Sequence, residues 1–135
     1  MKTPTEIVDL MYKNDAYSKW LGIERLSESL GQSHLRMQIR DEMCNGFGIA
    51  HGGISFSFAD SAFAFACNSH GSKAVSVETS ISHVAPLKAN DVIEAYAVEK
   101  HRSRKIGVYD IEIKKSDGTL VALFKGTCYI TSKDW

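Results

Sequence analysis

The run Asn45-Gly46-Phe47-Gly48-Ile49-Ala50-His51-Gly52-Gly53 is followed seven residues later by Asp60, a carboxylate set inside an otherwise apolar stretch. Burying a carboxylate is costly unless it is hydrogen-bonded or paired, and no Lys or Arg lies between Arg40 and Lys73 to pair with it locally. Such a group is suited to taking a proton from water, and burial is expected to raise its pKa from the unperturbed value of about 3.9 toward the range where a general base is useful. Gly52 and Gly53 supply a complement at the expected start of a helix. The first amides of a helix lack intrahelical acceptors and sit at its positive dipole end, so they can hold a developing oxyanion, and glycine lets a carbonyl approach closely. One preorganised donor is worth about 2.7–4 kcal/mol in acyl transfer, and a positioned general base about 10²–10⁴-fold. The pair points to water attacking an acyl carbonyl without a Ser-His-Asp triad. The plainer alternative is that Asp60 bonds a serine or backbone group across a packing interface and that Gly-Gly marks only tight packing.

The elements that would position these groups follow from pattern. Ile54 to Ser69 contains no Gly or Pro and is apolar nearly all round, with Phe56, Phe58, Ala59, Ala62, Phe63, Ala64, Phe65 and Ala66, so the helix it forms must be enclosed. Counted from Gly52, that helix is about 27 Å long at roughly 1.5 Å per residue. Upstream, Thr3-Pro4-Thr5-Glu6 reads as a capped helix start, and a second short helical stretch from about Asp15 to Leu21 ends at Gly22. Leu35, Met37 and Ile39 alternate with Arg36, Gln38 and Arg40 after a turn at Gly31, which predicts a first hairpin. Four further strands are expected over Ala74 to Val84, Asp91 to His101, Ile106 to Lys115 and Leu120 to Ile130, separated by turn chemistry at Pro86 to Asp91 and Ser116-Asp117-Gly118. The order predicts an α+β fold in which an antiparallel sheet of about six strands wraps a long central helix, with a short helical segment at the N-terminus.

The chain has 135 residues with 44% hydrophobic and 24% charged positions, which fits one domain spanning residues 1–135. Sixteen basic and sixteen acidic residues cancel, so no global field favours nucleic acid or an anionic membrane. Met1 to Leu10 lacks the apolar run of a signal peptide or membrane span, and a cytoplasmic location is expected. Cys44, Cys67 and Cys128 are odd in number and widely spaced, which fits reduced thiols and implies no metal. His34, His70 and His83 show no metal-ligand spacing and read as structural or surface residues. Arg102, Arg104 and Lys105 form the densest basic cluster, at a strand-to-strand turn, where they could meet phosphates or simply be a solvated hairpin. Phe56 lies one turn before Asp60 and could touch a substrate, although core packing is the commoner use of such a residue.

Several segments carry a family resemblance. Met11-Tyr12-Lys13-Asn14-Asp15-Ala16, Asn45-Gly46, the run from His51-Gly52-Gly53 to Ala59-Asp60, and Ala62-Phe63-Ala64 with Ala66-Cys67-Asn68-Ser69 resemble the PaaI-like hotdog-fold thioesterases, in particular those that cleave phenylacetyl-CoA. Gly107-Val108-Tyr109-Asp110-Ile111-Glu112-Ile113 and Val121-Ala122-Leu123-Phe124-Lys125-Gly126 extend the likeness over nearly the whole chain. The resemblance implies a hotdog fold and hydrolysis of an aryl- or arylacetyl-CoA thioester. Asp60 would be general base or nucleophile, the Gly52 amide would polarise the carbonyl beside Gly53, and Asn45 and His51 would shape the oxyanion side. Ser76 occupies a strand position where some relatives use a hydroxyl to place the attacking water, though a strand serine is more often a hydrogen-bonded filler. For His51, helix capping weighs slightly more than proton transfer. The resemblance further implies sites shared between subunits of a homodimer or dimer of dimers, with coenzyme A arriving as part of the substrate and no other cofactor. Two alternatives share the motif: a hotdog hydratase or dehydratase using His51 as a partner, and a noncatalytic acyl-CoA-binding dimer.

Overall fold

Thr3 and Glu6 close a reciprocal capping box, with the Glu6 amide donating to Thr3 Oγ1 at 3.2 Å and the Thr3 amide donating to Glu6 Oε2 at 3.3 Å. They start α1 (Pro4–Lys13) in the computed structural model, which describes residues 1–135. Asp15 caps rather than begins α2 (Ala16–Leu21), accepting the Ser18 amide at 2.9 Å, and Gly22 ends it in the left-handed conformation at φ 76°. Both helices lie over the main body, as their apolar faces require.

The hairpin β1 (Glu24–Ser29) and β2 (Gln32–Gln38) turns at Gly31, and a short 3-10 turn over Asp41–Met43 leads into the glycine loop. Then come α3 (Gly52–Asn68), β3 (Ser72–His83), β4 (Val92–Arg102), β5 (Ile106–Lys115) and β6 (Leu120–Asp134). The six strands form one antiparallel sheet in the order β1-β2-β4-β5-β6-β3, curled around α3. This is the architecture expected from the sequence. Boundaries move by a few residues. Ser69 caps α3 instead of belonging to it, and β6 runs on to Asp134 because its tail pairs back to Ser72 at the start of β3.

One core joins the inner sheet face to α3. Leu35 pairs with Ala95 and Ala95 with Ile113, while Ala97 pairs with Ile111 and Ile111 with Phe124, so small and large side chains alternate across the ladder facing Phe58, Ala62, Phe63 and Ala66. Helix and sheet meet most closely at Gly126, where a Cβ would stand 2.8 Å from the Phe63 ring. The enclosure of α3 predicted from its composition holds on three sides only. Gly53, Phe56, Ser57, Asp60, Ser61 and Ala64 recur at spacings of three and four residues and form an open stripe along an otherwise buried helix.

Candidate active site

At the head of α3, His51 is the N-cap, and its Nδ1 accepts the Gly53 amide at 2.8 Å. That bond occupies the Gly53 donor. The Ile54 amide returns to the His51 carbonyl at 2.9 Å, whereas the Gly52 amide finds no acceptor within the chain. Asn45 organises the preceding loop: its Oδ1 accepts the Phe47 amide at 3.0 Å and the Ile49 amide at 3.4 Å, leaving the amide nitrogen of its side chain unengaged. Gly48 lets the loop close at φ 78°, donating to the Asn45 carbonyl at 3.0 Å. Two free donors, on Asn45 and Gly52, therefore line one cavity of about 380 Å³ whose other walls include Ile49, Ala50, Ser55, His83, Leu87 and Val121. Two donors beside an apolar surround are chemically suited to holding an oxyanion.

Asp60 stands on the open stripe, half-buried, and no hydrogen bond or cation reaches its carboxylate, so burial alone pushes its pKa above the ordinary aspartate range. Its neighbours are engaged elsewhere. Ser57 Oγ donates to the Gly53 carbonyl at 2.7 Å and lies 3.0 Å from the Tyr17 hydroxyl, while Ser61 Oγ is 2.8 Å from Ser18 Oγ, which in turn donates to Asp15 at 2.6 Å. The expected alternative of a serine-bonded aspartate is thus not realised within the chain. Eight residues separate Gly52 from Asp60, about 12 Å along the helix axis. A general base must come within about 2.6–3.2 Å of the proton it takes, or reach it through one water. At that spacing the Gly52 amide and the Asp60 carboxylate of one chain are too far apart to reach one carbonyl together.

The remaining sequence candidates scatter. Phe56 lies on the stripe beside Asp60 with its ring 5.3 Å, edge-on, from Phe124, half in the core and half open. Ser76 is exposed on β3, where a bulge interrupts the register between Ser76 and Glu78. Arg102, placed at a turn by its sequence context, turns inward: its Nη1 is buried without a hydrogen-bond partner, in a cluster where Tyr109 donates to Glu99 at 2.6 Å. Arg104 and Lys105 stay exposed in the β4–β5 turn. The Lys105 carbonyl accepts the Ile130 amide, Ile130 pairs with Ala74, and Ala74 is held by Asn68, so this turn lies at the opposite end of α3 from Gly52. Sequence reasoning missed His83, whose imidazole packs against Gly52, and Tyr17, which reaches Ser57 from α2. Neither position carries a local signal, since both contacts are made between elements distant in sequence. No cluster of three or more His, Cys, Asp or Glu side chains is placed to hold a metal ion.

Comparison with known proteins agrees with the fold. The profile of the thioesterase superfamily matches residues 47–122, which span most of the glycine loop, α3, β3, β4, β5 and the start of β6. The acyl-coenzyme A thioesterase PaaI of Escherichia coli K12 is 44% identical over 86% of this chain and 83% of its own length. The solved structure of the E. coli PaaI protein from the phenylacetic acid degradation operon superposes with a TM-score of 0.95 at 39% identity, covering 97% of this chain and 95% of that one. The smu.793 protein of Streptococcus mutans UA159, solved bound to acetyl CoA, matches with a TM-score of 0.81 at 25% identity over 84% of this chain and 91% of that one.

Proposed function

The chain belongs to the thioesterase superfamily, and from that premise we propose that it hydrolyses acyl-CoA thioesters at sites formed by two copies of the chain. Asp60 of one copy takes a proton from water as the water oxygen bonds to the acyl carbon. The carbonyl electrons move onto oxygen, held by the Gly52 amide and the Asn45 side chain of the other copy. Collapse of that intermediate breaks the carbon–sulfur bond, and the coenzyme A thiolate leaves with the proton that Asp60 took up. The reading asks for no cofactor beyond the coenzyme A carried by the substrate.

The observation that carries it is the separation of two unpartnered groups: a carboxylate with a raised pKa and an amide with no acceptor, about 12 Å apart on one helix. Each needs a partner that its own chain does not supply. A surface for the second copy is present. β3 is one of the two edge strands of the sheet, its outer edge is unpaired, and Val75 and Val77 are 54% and 59% exposed on it. Antiparallel pairing of two β3 strands would bring each copy's glycine loop toward the other's Asp60, so that the working unit is a pair of copies or two such pairs joined elsewhere. Competing hydration chemistry relies on His51, whose Nδ1 is already taken by the Gly53 amide.

An aryl- or arylacetyl-CoA thioester is the substrate this reading favours. Support comes from the mostly apolar walls around the Asn45–Gly52 cavity and from the likeness to a protein of the phenylacetic acid degradation operon. No helix is long and apolar enough to cross a membrane, and a cytoplasmic location is proposed with the substrate. The test is thiol release from phenylacetyl-CoA, benzoyl-CoA and a short aliphatic acyl-CoA, wild type beside Asp60→Asn of unchanged oligomeric size. Preference for the aryl thioesters and a fall of about 10² or more in the variant are expected. Wild-type protein that binds the thioesters and releases no thiol would replace the enzyme with an acyl-CoA-binding module.

A further inference from the structure

We propose that Phe56 is a specificity-determining residue whose ring is the wall on which the aromatic part of an acyl group rests, an inference that deepens the thioesterase reading of Asp60 and rests on it. Phe58, Phe63 and Phe65 of the same helix are at most 1% exposed, whereas Phe56 is only half-buried. It ends a chain of four rings. Tyr109 stands 5.7 Å from Phe63, Phe63 stands 6.0 Å from Phe124, and Phe124 stands 5.3 Å from Phe56, all tilted or edge-on. Those separations and tilts are the ones that aromatic pairs favour. The first three rings are buried in the core, so the fourth is fixed from behind while part of it stays open.

The open part belongs to the same stripe as the carboxylate. Phe56 precedes Asp60 by four residues, which sets their Cβ atoms about 5–6 Å apart. Each helical side chain also leans over the turn N-terminal to its own Cα, so Asp60 leans toward Phe56 and Ser57. A water bound to a general base lies about 2.6–3.2 Å from it, and the carbon it attacks lies about 3–3.5 Å further on. The acyl group on that carbon therefore falls on the residues around Asp60 along the stripe. Ser57 and Ser61 are polar and tied to α2 through Tyr17 and Ser18, and Ala64 offers a single methyl group. Phe56 alone presents an extended apolar surface there.

The sheet side of Phe56 is also the side on which the second copy is proposed. Phe124 lies opposite Ile81 of the edge strand β3, and opposite residues of an antiparallel pair share a face of the sheet. Ile81 is, like Phe56, only partly buried against the core. Phe56 and Ile81 thus border the Phe124 ring from the helix and from the open edge, where the partner's glycine loop would deliver the carbonyl. A ring held in a fixed direction favours a flat, rigid acyl group, which gains edge or face contact with it. A flexible aliphatic group of equal length loses chain freedom on the same wall.

The experiment measures kcat/KM for phenylacetyl-CoA and hexanoyl-CoA on wild type, Phe56→Leu and Phe56→Tyr, with oligomeric size and melting temperature read alongside. Phe56→Leu keeps an apolar side chain without the ring, and Phe56→Tyr keeps the ring. The ratio of the two kcat/KM values, phenylacetyl over hexanoyl, is expected to fall about 3- to 10-fold in Phe56→Leu and to stay within about twofold of wild type in Phe56→Tyr. A packing role alone would lower both substrates together. An unchanged ratio in Phe56→Leu, or equal falls of the ratio in both variants, would overturn the proposal. Should the wild type release no thiol at all, the thioesterase reading has failed. The same ratio taken from equilibrium binding of the two thioesters then decides the role of the ring by itself, with an unchanged ratio in Phe56→Leu counting against it.

Discussion

Replacing Gly52 with proline should remove the free backbone donor from the site and leave the start of α3 intact. Gly52 is the first residue of α3, where a proline is favoured because its fixed φ suits the helix and the missing N–H is one that the helix does not use. The residue before it is also compatible: His51 sits at φ −58° and ψ 138°, in the extended region that a following proline demands. A Gly→Pro change at a compatible site stabilises by about 0.4–1 kcal/mol through the unfolded chain. Loss of one oxyanion donor costs about 2.7–4 kcal/mol, or about 10²–10³ in kcat. The Cβ of proline, 3.3 Å from His83 Cε1, is shared with Gly52→Ala, which keeps the amide and controls for that contact, while the proline Cδ takes the place of the amide hydrogen. The assay is thiol release on Gly52→Pro, Gly52→Ala and wild type of equal oligomeric size, with melting temperatures measured alongside. The expectation is a proline variant that melts at or above wild type and has lost about 10²–10³ in kcat, beside an alanine variant that keeps most of its activity. A folded proline variant as active as the alanine variant would refute the assignment of the Gly52 amide as the oxyanion donor.

Asp60 should oppose stability. Its folded-state pKa is raised by burial above the unfolded value, so the folded chain binds this proton more tightly and stability falls as pH rises between the two values. Asp60→Asn should accordingly melt higher than wild type at neutral pH while losing activity, and a variant that melts lower would contradict the unpaired carboxylate. For wild type, the acidic limb of kcat/KM should lie above about 4, the ordinary aspartate range, and a limb below it would show that Asp60 is not raised in the working oligomer. Refolding a 1:1 mixture of Asp60→Asn and Gly52→Pro chains should recover about one quarter of wild-type activity, because about half of the dimers are mixed and each mixed dimer has one intact site. Recovery no greater than that of either parent would place both groups in one chain's site.

The fold was largely legible because its signals are local: a capping box at Thr3, period-two alternation in β2, and a helix too apolar to face water. Asp60 was legible for a related reason, as a charge with no cation anywhere near it in sequence. Less accessible was how neighbours divide the available hydrogen bonds. Gly52 and Gly53 look equivalent in sequence, yet His51 takes the second amide and leaves the first. Arg102 looks like its exposed neighbours Arg104 and Lys105, but strand alternation after the bulge between Glu99 and His101 points it inward. The contact of His83 with Gly52 shows nothing at all in sequence, since it depends on β3 ending beside the head of α3.

The two edges of the sheet are not alike. β1 is short, and its neighbour α1 reaches across it with charge: Arg25 pairs with Asp9 at 2.8 Å, and Thr5 donates to Glu28 at 3.3 Å. β3 is twice as long, carries exposed valines, and bends at its bulge. A sheet with two open edges can add neighbours without limit and grow into a fibre, whereas one with a single open edge is exhausted by one twin joined through the same edge. If two copies pair through β3, the only sheet edges left are the two β1 strands, whose shortness and charge disfavour further strand addition.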